Sequence, residues 1–320
     1  MGRGRQPERL ECRIEILTGE YCMIGLLKRW SMKSGNRRGT PASKPNPDFR
    51  PSVENLESRT LMNATPTLLP DIFVPGYAAV AVPGQGVWEY ASSGVSPIHL
   101  TATPASQAAA DDNGDVVADL PGFGVWRFKA GGWQQLTAND ATQVGIAGNG
   151  TVVIELQGFG VWRYEDAGGW KQVIAHDATS LAVDAAGDVA AAVPGKGVYR
   201  YEDATGVKLL TATGATQVSI AGPGIVAASL PGQGVWRYQD ATGWQQLTAT
   251  SASHIGVDSL GQVAADLPGF GVWTYGDSTG WKQQTAADPT WMTMNEDGAI
   301  AASIQGQVKW YQTEPHAIYT

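Results

Sequence analysis

A short phrase, Gly-Val-Trp-x-Tyr, returns with drift along the 320 residues. Its central aromatic falls at Trp88, Trp126, Trp162, Tyr199, Trp236, Trp273 and Trp310, at intervals of 36 to 38 residues. That makes seven copies of a unit of about 37 residues. A period of this size marks a solenoid, a propeller or an array. One unit cannot bury its apolar face alone and must stack on its neighbours.

The fifth copy shows the content of a unit. "ATQVSIA" (215–221) ends at Gly222-Pro223-Gly224, "IVAASL" (225–230) at Pro231-Gly232-Gln233-Gly234, "VWRYQ" (235–239) at Asp240-Ala241-Thr242-Gly243, and "WQQLTA" (244–249) runs into Thr250-Ser251. Four short runs rich in β-branched and aromatic residues, separated by Gly, Pro and Asp, are strand and hairpin signals. No segment keeps a helical period over two turns. This excludes helical solenoids, and four hairpin signals per unit are too many for a β-helix coil. The sequence therefore predicts an all-β fold, a seven-bladed β-propeller with four antiparallel strands per blade. Small residues in each first strand suit a crowded central channel, and Trp and Tyr in each third strand suit the wider gap between blades. The first unit begins near Pro66 and the last ends at Thr320 with the weak match "HAIYT". Closure by a borrowed strand is allowed but not required.

The propeller is assigned to residues 61–320, and residues 1–60 stand outside the repeat. "KSGNRRGTPASKPNPDFRP" (33–51) is basic and rich in Pro, Gly and Ser, a composition expected to be disordered. Residues 1–60 carry a net charge of +5 and residues 61–320 a net charge of −13. An acidic body offers no surface to displace counterions from a phosphate backbone, so nucleic acid is not an expected partner. No apolar run reaches the ~18 residues of a membrane helix, and no standard signal peptide is visible. Both cysteines, Cys12 and Cys22, precede the repeat, so the body needs no disulfide. Met32 is an alternative start that would drop both.

The unit resembles the tectonin repeat in its Trp-led strand, small-residue strand ending in Gly, and V-W/I-Y-R-Y type strand. The stretch "GWKQVIAHDATSLAVDAAGDVAAAVPGKGVYRYEDATG" (169–206) carries the pattern. The likeness covers about residues 66–320, and the Pro-Gly-x-Gly turn is this protein's own idiom. The resemblance implies a lectin or a module that recognises bacterial surface glycolipids. "VENLESRTLMNA" (53–64) resembles the LEPR-XLL motif of bacterial surface and repeat proteins through Leu56, Glu57, Arg59 and Leu61, with Ser58 and Met62 departing from it. That implies an extracellular or cell-surface protein.

Catalytic signals are missing. His99, His176, His254 and His316 fall at different places in their units and have no partner at metal-ligand spacing. There is no nucleophile elbow, zinc-protease motif or phosphate loop. No cofactor and no enzyme activity are expected. Turns between first and second strands, and between third and fourth, share one face and hold many acids, among them Asp111, Asp184, Asp258, Asp166, Asp203, Asp240 and Asp277. Asp is also a good turn former. The other face carries the Pro-Gly-x-Gly turns. Their x residue is Phe123, Phe159 and Phe270 in units two, three and six, and four positions earlier stand Asp119, Glu155 and Asp266. The other units have Gln or Lys at x, preceded by Ala or Ser. A Phe at a hairpin apex exposes apolar area for a partner, and a carboxylate beside it could accept sugar hydroxyls. The alternative is that Phe folds back on the next blade while the acid caps turn amides.

These observations set two expectations. One is a non-enzymatic binding module that recognises carbohydrate or glycolipid, including lipopolysaccharide, at the Pro-Gly-x-Gly face. The other is a structural scaffold of a bacterial surface whose acidic face holds a basic protein or cations.

Overall fold

The computed structural model describes residues 76–313 except Pro223. They lie within a unit running from Thr65 to Thr320. The 1–60 segment, the 53–64 motif, both cysteines and "HAIYT" lie outside the described residues.

Seven antiparallel sheets follow one another along the chain, one per repeat. Blades 2 to 6 have four strands each; in blade 2 these are Gln107–Ala110, Val116–Leu120, Gly124–Lys129 and Gly132–Thr137. Blades 1 and 7 have three strands each among the described residues. The positions that the repeat assigns to a first strand of blade 1 and a fourth strand of blade 7 lie outside the described residues. No helix occurs among the described residues. Blade 7 meets blade 1, since Gly76 lies against Ala299 and Trp310.

Each strand's composition follows its depth. First strands present small residues to the channel: Ala109, Gly145, Ala182, Ser219 and Gly256 line it. Beyond blade 1, second strands are buried along all or nearly all of their length, as in Val116–Leu120, Val189–Val193 and Ile225–Leu230. A strand covered on both faces reads as a continuous apolar run. The core is divided among the seams. One cluster joins Val117 and Val125 of blade 2 to Ile146, Val152 and Ile154 of blade 3, and equivalent clusters join each consecutive pair from blade 1 to blade 6.

The turn idiom has a backbone reason. Phe123 N donates to Leu120 O at 2.8 Å, with Pro121 second and Gly122 third at φ 81°, the pattern of a type II turn. The second glycine is fixed by crowding as well: Gly124 has φ 77°, and a Cβ there would run into the Thr137 carbonyl.

Polar contacts stitch the seams in both directions. Arg127, Arg163, Arg200 and Arg237 are buried, and each reaches an aspartate of the following blade: Asp166 at 2.6 Å, Asp203 at 2.9 Å, Asp240 at 2.9 Å and Asp277 at 2.8 Å. Each guanidinium also lies 5.8–5.9 Å from a tyrosine ring centre in that blade, within cation–π range. In blade 1 Glu89 takes the arginine's place, and the matching aspartate position in blade 2 is Ala130, so the two partners are lost together. In the opposite direction, the fourth-strand indoles of Trp133, Trp170, Trp244 and Trp281 donate to the carbonyls of Leu100, Leu136, Leu210 and Leu247 of the preceding blade at 3.0–3.3 Å.

Candidate functional site: grooves between the blades

Burial of apolar side chains is the rule in this ring, which makes its exceptions informative. Phe123, Phe159 and Phe270 keep 59%, 66% and 60% of their surface exposed. They do not fold back onto a neighbour. Each crowns a turn whose carbonyl is doubly used. Phe123 O accepts Trp126 Nε1 at 3.0 Å and Gln135 Nε2 at 2.7 Å. The same pair of bonds recurs at Phe159, Gln233 and Phe270. In blade 1 His99 does the glutamine's work, bonding Gln85 O at 2.9 Å and stacking on Trp88.

Beside two of these turns a groove opens along the seam. Phe123, Trp126, Leu120 and Trp133 of blade 2 face Thr101 and Thr103 of blade 1 around a volume of about 240 Å³. Phe159, Trp162, Leu156 and Trp170 of blade 3 face Thr137 and Asn139 of blade 2 around about 260 Å³. An apolar wall with a few polar groups at its edge is the usual make-up of a ligand site, here with a volume below the range of drug-sized pockets. Blade 6 repeats the aromatic set with Phe270, Trp273 and Trp281, and blade 4 has lost it, with Lys196, Tyr199 and Val207 in those places.

Asp119, Glu155 and Asp266 occupy a different layer. All three are 2% exposed, because they stand on second strands. Asp119 accepts the Ser106 hydroxyl and Ala141 N at 2.8 Å. Asp266 Oδ2 lies 3.0 Å from His254 Nδ1. Burial pushes the carboxyls of Asp119 and Asp266 up, and drives that of Glu155 up to about 7 with help from the charge of Asp177. None of the three lines the two grooves. The paired phenyl and carboxylate therefore belong to one turn but to different surfaces of it: the ring faces outward, while Asp119 and Glu155 accept Ala141 and Ala178 amides of the connection to the next blade and Asp266 pairs with His254 of its own blade.

A third group joins each pair. The connector after the fourth strand carries Asp140, Asp177 and Asp288 in blades 2, 3 and 6. Asp140 Oδ1 accepts Gly122 N at 2.9 Å and Gly124 N at 3.0 Å. Asp177 binds Gly158 N and Gly160 N at 2.9 and 3.2 Å, and Asp288 binds Gly269 N and Gly271 N at 2.8 and 2.9 Å. Blades 1, 4 and 5 have Pro104, Gly214 and Ser251 there. The spacing of these aspartates is plain in the sequence once the connectors are aligned, but their role depends on the connector folding back over the turn.

On the opposite face the acids are largely occupied. Asp166, Asp203, Asp240 and Asp277 pair with the buried arginines. Asp111, Asp184 and Asp258 fold onto their own turns, accepting amides two or four residues on. Glu296 crosses the channel mouth from blade 7, its Oε1 accepting Ala185 N of blade 4 at 2.6 Å and Gly222 N of blade 5 at 3.4 Å. Among the described residues no group of three His, Cys, Asp or Glu is placed to hold a metal ion. No helix among them is long and apolar enough to cross a membrane.

No protein-family model matches this chain, and no curated protein sequence matches it. Solved structures do. A chain of a mitotic checkpoint complex is 11% identical with a TM-score of 0.56, over 74% of this chain and 86% of that one. The extracellular domain of the putative one component system BT4673 from B. thetaiotaomicron is 14% identical with a TM-score of 0.50, over 72% of this chain and 36% of that one. The extracellular domain of the putative hybrid two component system BT4673 from B. thetaiotaomicron is also 14% identical, with a TM-score of 0.51 and the same coverage. This chain thus spans about a third of those two extracellular domains. Likeness at these identities shows the propeller fold, and a fold that hosts many activities does not choose among them.

Proposed function

We propose that this propeller is a non-enzymatic binding module that recognises carbohydrate or glycolipid at its Pro-Gly-x-Gly face. The observation that carries the reading is the exposure of Phe123, Phe159 and Phe270 on turns held by Asp140, Asp177 and Asp288. Exposed aromatic surface beside a groove marks a partner. A rigidly held ring loses little freedom on binding and so gains affinity. Phenyl and indole faces offer a platform for the C–H face of a sugar, and Thr101, Thr103, Thr137 and Asn139 offer polar groups at the groove edge. Asp119, Glu155 and Asp266 remain part of the proposed site as the layer beneath, shaping the turns rather than touching the sugar. Several weak copies acting together would supply avidity.

An exported, cell-surface location suits this reading. The tectonin resemblance and the 53–64 motif point the same way. The rival reading, a structural scaffold that holds a basic protein or cations at the acidic face, is weakened by how many of that face's carboxylates already serve the fold.

The test is a glycan and lipopolysaccharide binding screen beside the triple variant Phe123→Ala, Phe159→Ala, Phe270→Ala. Sugar-competed binding lost in a folded triple variant supports the reading. Binding that survives the triple change, or that is released by salt alone, overturns it.

A further inference from the structure

Seven seams repeat, yet only blades 2, 3 and 6 combine an exposed Phe, a buried second-strand acid and a connector aspartate. Blade 5 keeps both tryptophans and the glutamine of the scaffold but has Gln233, Ser229 and Ser251 in those three places. Ser229 there exchanges hydrogen bonds with Ala252 N and O at 2.9 Å, so the seam closes without any acid. The connector aspartate is therefore not a requirement of the fold. It occurs where a phenyl ring is presented, and it ties down the two glycine amides that flank that ring.

Blades 2 and 3 are neighbours, and one strand serves both of their grooves. Gly132–Thr137 gives Trp133 to the groove of Phe123 and Thr137 to the groove of Phe159. Each volume, about 240 and 260 Å³, falls below the range of drug-sized pockets and suits a single ring. Asp140 and Asp177 add exposed negative charge beside the grooves, which repels phosphorylated or sulfated ligands.

We infer that the chain has three binding grooves and not seven, that Asp140, Asp177 and Asp288 are the positioning residues that set this number, and that the grooves of blades 2 and 3 together take a neutral linear glycan long enough to span both. The ligand class rests on the carbohydrate reading. The positioning role of the aspartates rests on the turn geometry alone, and the experiment separates the two.

Fluorine-labelled phenylalanine, incorporated throughout the full chain, reports each ring separately by fluorine NMR, since the chain has six phenylalanines. The probes are the dimer and the hexamer of β-1,4-linked N-acetylglucosamine, with lipopolysaccharide as the charged comparison. The hexamer is expected to shift Phe123, Phe159 and Phe270 and to leave Phe128 unmoved. It should bind about tenfold more tightly than the dimer, and Phe159→Ala should abolish that length advantage while Phe270→Ala preserves it. Asp177→Ala is expected to move or broaden the Phe159 signal before any ligand is added and to weaken the hexamer about tenfold. Asp177→Asn, which keeps one acceptor oxygen, should recover part of both effects, and Ser251→Ala in blade 5 should change neither.

Gln233→Phe with Ser251→Asp is expected to create a fourth responding ring, and Gln233→Phe alone to give a weaker one. An unchanged Phe159 signal in Asp177→Ala would overturn the positioning role. Equal losses from Phe270→Ala and Phe159→Ala would overturn the bridging ligand, as would lipopolysaccharide binding more tightly than the hexamer. No ring shift with any of the three probes, with Phe159 still perturbed by Asp177→Ala, overturns the glycan and leaves the positioning role standing.

Discussion

Arg127 and Asp166 stand 39 positions apart and meet at 2.6 Å across the seam between blades 2 and 3. The arginine is buried and its partner is more than half exposed. That asymmetry decides what each side chain is worth. Removing the arginine breaks a charge-assisted bond, a 3.2 Å bond to Gly150 O and the stacking over Tyr164. Removing the aspartate leaves the guanidinium its carbonyl, its bond to Gln134 and its ring.

Arg127→Ala is accordingly expected to cost about 2 kcal/mol and Asp166→Ala less than about 1 kcal/mol. Chemical denaturation of the two single variants and the double variant checks this. Equal single losses would show that the ion pair itself, not the arginine's other contacts, dominates.

The pH response follows from two buried carboxyls. Burial first, then Asp177, raises Glu155 to about 7, and burial with Asp188 and Glu296 raises Asp184 to about 7. A carboxyl whose folded value lies above its unfolded one binds its proton more tightly in the native state. Its protonated form therefore adds stability that is fully present below about pH 4 and is lost as pH rises toward 7. Glu155→Gln should raise stability at pH 8 by about 2 kcal/mol and change it little at pH 4. Thermal melts at both values read the difference, and a variant equally affected at each pH would contradict the assignment.

The two turn glycines separate backbone preference from crowding. Gly122 and Gly124 both have left-handed φ, but a Cβ at Gly122 meets nothing while one at Gly124 strikes the Thr137 carbonyl. Gly122→Ala is expected to cost about 1 kcal/mol. Gly124→Ala should cost at least twice as much, since the connector must move as well. Denaturant midpoints of the two variants make the comparison.

Glu296 ties blade 7 to blades 4 and 5 across the channel mouth. Glu296→Ala leaves the Ala185 amide without that acceptor and should cost about 1–2 kcal/mol. It should also speed hydrogen exchange at Ala185 while leaving amides of the outer strands unchanged. Uniform acceleration over the whole ring would instead report global destabilisation.

The ring was legible because its period, its strand lengths and its turn glycines all recur, and recurrence averages away local noise. The arginine ladder was half legible. Four arginines after the central aromatic were evident, but their partners lie one unit and a few residues further on, a distance that means little until the blades are side by side. The exposed phenylalanines follow from their place at a hairpin apex. The second-strand acids were harder to read. Asp119, Glu155 and Asp266 stand four residues from the apex, on strands whose neighbours are all apolar, and that setting implies burial with hydrogen bonds rather than contact with solvent. The connector aspartates recur in the same three units as the phenylalanines, but only the folded connector brings them to the turn amides. Glu296 occurs in one unit alone, so no pattern announced its reach across the channel.

Every repeat of the arginine and tryptophan type carries one hand extended forward, to the next blade's aspartate, and one extended back, to the previous blade's leucine carbonyl. A unit copied within the gene therefore arrives with both halves of its joints already complementary to whatever copy it lands beside. Growth or loss by whole units keeps the seams matched, whereas a break within a unit strands one hand of each kind. The scheme is broken where Glu89 faces Ala130, where Thr274 stands in the arginine position of blade 6 and where Val207 replaces tryptophan in blade 4, a blade that also lacks the exposed aromatic set.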